Sequence, residues 1–158
     1  MDKNNWIKTV KLKIDYKNKI FIEIAEFIPI GIYFFNNNKY YFNSKGKIID
    51  YENSKNYNSN KLITFIGESS TINAYSLLEI LHKFKQDFHK KIIQATFIEN
   101  RRWNLLLEGS ILLKLSEIDI KQSIENYFKL TNNLSYNNLI NVRMIDLRDT
   151  QKAVIAYK

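Results

Sequence analysis

Few residues in this sequence have the types and spacing that a catalytic site requires. The two histidines, His82 and His89, lie seven residues apart among several lysines. A general acid or base needs convergent partner groups, so a solvated basic helix explains the pair better than catalysis or metal binding. Cysteine is absent, and so are the HExxH, GxSxG and Walker-type motifs. The sequence therefore predicts no enzyme, no metal site and no cofactor.

The other chemically distinctive feature is an arginine doublet in the stretch ENRRWNLLLEGSILLKLSE, residues 99–117. Arg101 and Arg102 directly precede Trp103, at the head of a pattern typical of a β-hairpin that turns at Glu108-Gly109. One interpretation is structural, with one side chain lying along the tryptophan ring and the other in solvent. The alternative is an anchor for a partner protein, because arginine is enriched at binding hot spots.

The net charge of +8 raises nucleic acid as a possible partner. Only four of the 24 basic residues are arginine, and the lysines are spread along a chain rich in asparagine and isoleucine. This is the composition that AT-rich codons produce, and it explains the charge at least as well as function does. A small basic nucleic-acid-binding domain stays as the alternative function, which a salt titration of binding would test.

The sequence contains no predicted membrane span or signal peptide. Its longest apolar run, residues 27–35, has nine residues and includes Pro29 and Gly31, whereas a spanning helix needs about 20. The N-terminal stretch MDKNNWIKTV also lacks the apolar core of a signal peptide.

Two alternating stretches near the N-terminus predict a β-hairpin. In TVKLKIDY, residues 9–16, Val10, Leu12 and Ile14 share one face, and Ile22 and Ile24 share a face in the returning stretch 19–27. A two-stranded hairpin needs its apolar side covered. No residues before it in this sequence are able to provide that cover.

The rest of the chain reads as a mostly antiparallel sheet with two amphipathic helices, an α+β fold. A strand meander is predicted over residues 29–51, followed by a polar connector at 52–60 and a strand at 61–67. Apolar residues at three- and four-residue spacing predict a first helix over 73–90. Ser116 and Asp119 resemble a capping box, so a second helix is expected from there to about Leu130. Two further strands, at 140–148 and 152–158, end the chain.

Four stretches in order resemble one known family: the pattern E-x-x-P-I from Glu26, YYFNSKG at 40–46, RRWNLLLEGSILLKL at 101–115, and MIDLRDTQKAVIAYK at 144–158. They resemble the C-terminal part of the FtsQ/DivIB proteins of bacterial cell division, and the RRW hairpin is most similar to the alphaproteobacterial branch. The resemblance covers nearly the whole chain.

The resemblance implies a domain organisation. In that family one membrane helix precedes a small POTRA domain and then a β domain outside the cytoplasmic membrane. Residues 1–27 are then expected to be the C-terminal remnant of the POTRA domain, and residues 28–158 the β domain. The anchor in the inner membrane and the missing POTRA elements would precede Met1, and this region would lie in the periplasm.

The resemblance also implies a function, that of a non-catalytic scaffold of the divisome during septum formation. Members of the family recruit FtsB- and FtsL-like proteins through their last β-strands, to which a partner strand is added. Asp149 follows Asp-Leu-Arg where the family often has an aromatic residue, and Tyr157 stands for the usual terminal tryptophan. The partner-binding residues carried over are Arg101 or Arg102, Arg148, Asp149, Gln151, Ala153, Val154, Ile155, Ala156 and Tyr157.

Overall fold

The computed structural model describes residues 5–17, 19–51, 62–84, 87–134 and 139–158. Eleven strands and two α-helices make up the described chain. The strands are β1 (Ile7–Ile14), β2 (Ile20–Glu26), β3 (Gly31–Phe35), β4 (Asn38–Phe42), β5 (Ile48–Tyr51), β6 (Thr64–Ile66), β7 (Ile92–Ile98), β8 (Arg102–Leu107), β9 (Leu112–Leu115), β10 (Val142–Leu147) and β11 (Val154–Tyr157). The helices are α1 (Ser70–Leu81) and α2 (Ile120–Asn133), and a short 3₁₀ helix spans Phe88–Lys91.

Strands β1 and β2 form the predicted N-terminal hairpin as a separate two-stranded sheet. Val10 pairs with Ile24 and Leu12 pairs with Ile22, which places these four side chains on one side of the hairpin. These side chains are more than half exposed, and Leu12 reaches 67%. The predicted lack of cover therefore holds for the described residues.

The other nine strands form one sheet in the order β11-β10-β9-β8-β7-β6-β3-β4-β5. Neighbouring strands are antiparallel except for β9 with β10, β6 with β7, and β3 with β6, which are parallel. The predicted α+β class with a mostly antiparallel sheet is confirmed. Strands β11 and β5 form the two edges of this sheet.

The main core lies between one face of this sheet and the two helices. A continuous row of side chains crosses six strands on that face: Phe65, Ala95, Leu105, Leu113, Ile145 and Ile155. The helices add Ala74, Leu77 and Leu81 from α1 and Ile124 from α2 to the same cluster. Because every second residue of a strand points to one face, the strict alternation of buried and half-buried residues in β8 reflects this one-sided cover.

Trp103 belongs to this core. It is only 3% exposed and contacts Phe97 and Phe65 at ring-centroid distances of 4.5 Å and 5.8 Å. Trp103 and Phe97 are also cross-strand partners in β8 and β7. The tryptophan therefore stabilises the centre of the sheet.

The second face of the sheet is covered at its β3-β4-β5 end by a smaller cluster. Trp6 lies there with Ile32, Tyr41 and Ile49, is 5% exposed, and donates a hydrogen bond from Nε1 to Asp50 Oδ2 at 3.1 Å. Its backbone oxygen also accepts the amide of Phe27. The base of the N-terminal hairpin is thus attached to the large sheet.

Both helices differ from their predicted limits. The first was predicted over 73–90, but α1 ends at Leu81 and Phe88 lies in the separate 3₁₀ helix. The three- and four-residue spacing of apolar residues continues past the end of α1, because Phe84 and Phe88 pack against the same core as the helix does. The second helix begins after Asp119, whose carboxylate accepts the Gln122 amide at 2.8 Å, and extends to Asn133. Ser116 instead caps the preceding turn, where its hydroxyl accepts the amide of Ile118.

Candidate partner-binding site

The fold brings the arginine doublet and the C-terminal hairpin together in one open groove, the arginine groove, of about 510 Å³. Arg101 and Arg102 lie at the start of β8. Strand β9, which is antiparallel to β8, and strand β10, which is parallel to β9, both end at the same edge of the sheet. Residues distant in sequence therefore meet there. The groove is lined by Arg101, Arg102, Ser116, Glu117, Ile118, Asp146, Arg148, Asp149, Lys152 and Val154.

Arg101 is largely engaged by acidic residues of this chain. Its guanidinium donates to Glu99 Oε2 at 2.7 Å and to Glu117 Oε2 at 3.2 Å. The hydrogen bond and charge of Arg101 lower the pKa of Glu99. These pairs are exposed to solvent, so each contributes little to stability. Their structural role is to link the β7-β8 turn to the segment after β9.

Arg102 has a different environment from its neighbour. Its side chain is 20% exposed, and its nearest acidic oxygen is Glu99 Oε2 at 3.8 Å. Its Nε is buried and has no hydrogen-bond partner in the described chain. A buried donor without an acceptor carries a free-energy cost of about 1–3 kcal/mol, and more when the group is charged. Arg102 is therefore less engaged by acidic residues of this chain than Arg101 is.

Arg148 is held in position by Asp146, which is two residues earlier on the same face of the strand. Its Nη2 lies 2.6 Å from Asp146 Oδ2, and its Nε donates to both carboxylate oxygens at 2.9 Å and 3.0 Å. The hydrogen bond from Arg148 lowers the pKa of the Asp146 carboxyl. The guanidinium is preorganised, and half of its side chain is exposed to the groove.

The remaining predicted residues occupy the turn between β10 and β11 and the edge strand β11. Asp149 lines the groove and also accepts the Gln151 amide at 2.8 Å, so it shapes the turn between β10 and β11. Gln151 and Ala153 face a second depression beside α2. Asn126 of α2 donates to the Thr150 carbonyl at 2.8 Å and holds this turn against the helix.

Strand β11 carries Val154–Tyr157 at the edge of the sheet. Ile155 pairs with Ile145 and packs against the core, whereas Val154 is 62% exposed on the opposite face. The Lys158 amide donates to the Asn141 carbonyl of the neighbouring chain segment at 2.8 Å. Since backbone polar groups alternate sides along a strand, the amides of Ala156 and Val154 also point toward β10. We infer that the amides of Ile155 and Tyr157 point to the open edge.

Sequence reasoning missed the acidic residues that hold the arginines: Glu99, Glu117 and Asp146. The contact between Asp146 and Arg148 was predictable from the sequence, because residues two apart on a strand share a face. The contact between Glu117 and Arg101 was not predictable, since it depends on the pairing of β8 with β9.

The histidine pair lies away from this groove. His82 follows the last residue of α1 and His89 lies in the 3₁₀ helix, and their ring centroids are 4.4 Å apart. The expectation that they lie on one helix was wrong, although they are close together. Burial lowers the pKa of His89, with a smaller effect from the charge of His82, so folding favours the neutral imidazole of His89.

A metal-binding cluster and a membrane-spanning helix are both absent from the described ranges. No three histidine, cysteine, aspartate or glutamate side chains among them form a cluster able to hold a metal ion. In the same residues, no helix has both the length and the apolar character needed to cross a bilayer.

Curated relatives with the name Cell division protein FtsQ are similar to this chain over most of its length. Those of Rickettsia conorii, Rickettsia typhi and Rickettsia felis are 32%, 31% and 32% identical over 157 residues. Each alignment covers 98% of this chain and 56% of the relative. The chain thus spans about half the length of the curated relatives it matches.

A family model agrees with these relatives. The model described as Cell division protein FtsQ/DivIB, C-terminal, matches residues 32–148, from within β3 to just past the end of β10. The match includes the arginine doublet, Trp103 and Arg148. The chain belongs to the FtsQ/DivIB family of cell division proteins.

Proposed function

We propose that this chain is a non-catalytic scaffold of the divisome that binds FtsB- and FtsL-like proteins by strand addition at β11. The observation that carries the proposal is the position of β11 at the edge of the nine-stranded sheet, with no described strand on its outer side. An added strand would pair with the outward amides and carbonyls of Ile155 and Tyr157. Main-chain hydrogen bonds supply the affinity of such complexes, and alternate side chains supply the specificity.

The composition of β11 supports this role. Val154 and Tyr157 are 62% and 49% exposed, and the strand has no charged residue between them. Proteins usually protect exposed edges with charge, proline or a covering element. An uncharged apolar edge is therefore better explained as a surface that a partner covers.

The arginine groove would receive an acidic side chain from the same partner. Val154 of β11 lines the groove together with Arg102 and Arg148, so a strand added at β11 would place flanking residues near both guanidinium groups. Arg102 is the main candidate because its side chain is still 20% exposed and its guanidinium lies 3.8 Å from the nearest acidic oxygen, Glu99 Oε2. A carboxylate from the partner would pair with this guanidinium, and charge-assisted hydrogen bonds are the stronger kind.

The two arginines are expected to differ when each is replaced in turn. Arg102→Met keeps the apolar stem but removes the donor, and should weaken binding of a purified periplasmic FtsB-FtsL pair by about tenfold to a hundredfold, the usual cost of a lost charged hydrogen bond. Arg101→Met should change affinity by less than about fivefold, because its guanidinium is exposed and already paired. Isothermal titration calorimetry of wild type and both variants measures this difference.

Arg101→Met is the matched control, since it makes the same chemical change one residue earlier. Thermal melts of all three proteins establish whether either change affects folding. Equal affinity of the Arg102→Met variant and wild type would remove Arg102 from the interface. Failure of the wild-type chain to bind the pair at all would contradict the proposed function.

We also propose that residues 1–27 complete a POTRA domain in the full-length protein, with a membrane anchor before it and this region in the periplasm. The uncovered apolar side of β1 and β2 supports this arrangement, because a two-stranded hairpin is not stable alone. DNA upstream of the Met1 codon is expected to encode, in frame, further POTRA elements preceded by about 20 apolar residues. A stop codon directly upstream, without a frameshift, would count against it.

A further inference from the structure

A second groove, here called the aromatic groove, lies on the helix side of the protein between the end of α1 and α2. Its volume is about 510 Å³, and it is lined by Lys83, Phe84, Lys121, Glu125, Phe128, Lys129 and Asn132. Apart from Lys129, which also borders the depression beside the C-terminal turn, none of these residues belongs to the partner-binding site.

Two phenylalanine rings form the floor of the aromatic groove. Phe84 and Phe128 are stacked at a centroid distance of 5.9 Å with an interplanar angle of 26°, and the buried Phe88 supports both from the core side. Each of the two floor rings is half-buried and packs against the main core. They therefore offer an apolar surface inside a concavity, the usual form of a site for an inserted side chain.

The rim of the aromatic groove is basic. Lys83, Lys121 and Lys129 are exposed around the floor, and Glu125 is the single acidic residue among the described residues of the lining. Glu125 lies 3.5 Å from Lys121, its neighbour one helical turn earlier. That pair neutralises one lysine locally and leaves a net positive rim above an apolar floor.

We propose that the aromatic groove is a docking site for an acidic protein segment that inserts an aliphatic or aromatic side chain between carboxylates. The apolar side chain would cover Phe84 and Phe128, and flanking carboxylates would meet Lys83 and Lys129. A protein segment fits better than a flat anionic membrane, because the floor rings are recessed. Insertion into lipid instead needs apolar side chains that project from the surface.

A synthetic peptide of glutamates around a central phenylalanine is a suitable probe. We expect it to bind wild type, with NMR chemical-shift changes concentrated at Phe84, Phe128 and the surrounding lysines. Lys83→Glu should weaken this binding by about tenfold or more, since a like charge at the rim repels the peptide. Lys47→Glu is the control. It makes the same change in net charge at an exposed site in the turn beside the start of α1, and should bind as wild type does.

A second substitution tests the apolar part of the site. Phe84→Ala removes half of the floor, and its fold is checked by circular dichroism before binding is measured. The phenylalanine peptide should bind this variant more weakly than it binds wild type. A peptide with alanine in place of the central phenylalanine should bind wild type with about the same reduced affinity.

Three results would overturn the proposal. The first is no binding of the phenylalanine peptide to wild type, and the second is equal binding to the Lys83→Glu and Lys47→Glu variants. The third is binding to phosphatidylglycerol vesicles that depends on Lys83 and exceeds the peptide affinity, which would assign the groove to a membrane surface.

Discussion

Trp103→Ala is expected to lower the free energy of unfolding by about 3–5 kcal/mol, the range for removing a buried aromatic side chain. Trp103 is 3% exposed and contacts both Phe97 and Phe65, so the substitution leaves a cavity at the centre of the sheet. A loss of this size is a large part of the stability of an ordinary domain. Urea denaturation followed by circular dichroism measures it.

Trp103→Phe is the control for this substitution. It keeps an aromatic ring against Phe97 and should cost clearly less than the alanine variant. If Trp103→Ala unfolds at the same urea concentration as wild type, the side chain contributes little to the core. The conclusion that Trp103 stabilises the centre of the sheet would then be wrong.

Ile155→Pro is expected to abolish binding of the FtsB-FtsL pair while leaving the fold largely intact. Proline has no amide hydrogen, and the amide of Ile155 is inferred to point to the open edge of β11, where the partner strand would pair. Edge strands tolerate proline at positions whose amide faces outward. A pulldown with the periplasmic pair measures the effect, and circular dichroism monitors the fold.

Two neighbouring changes serve as controls for Ile155→Pro. Ile155→Ala removes the same side chain from the core but keeps the amide, so it should retain binding. Ala156→Pro removes an amide that points toward β10, so it should instead disrupt the pairing of β10 and β11 and lower stability. If Ile155→Pro stays folded and binds as wild type does, the docking edge lies elsewhere.

Several features of this protein follow from local sequence patterns. The alternation of Val10, Leu12 and Ile14 predicted both the hairpin and its bare apolar side, because side-chain direction in a strand has a period of two. The order of short motifs identified the family, which the comparisons confirmed. Each of these inferences depends on residues close together in the chain.

Strand order could not be read from the sequence in the same way. Alternation reports that one face of a strand is buried, but it does not specify the neighbouring strand. Three pairs in the large sheet are parallel, and each requires a crossover, such as α2 between β9 and β10. The end of α1 at Leu81 was also not predicted. Phe84 and Phe88 continue the apolar spacing of the helix and pack against the same core, but they lie in the segment that follows α1.

The candidate site also combines features that the sequence predicts with features that depend on the tertiary structure. The resemblance of short sequence motifs to the family predicted that Arg101 or Arg102, Arg148 and the last strand contact a partner. Only the tertiary structure decided that they share one groove, and that β11 is an edge. It also separated the two arginines, because Glu117 reaches Arg101 through the pairing of β8 with β9, whereas Arg102 Nε is buried without an acceptor. Adjacent residues of the same type thus differ through contacts made by distant parts of the chain, which no local pattern encodes.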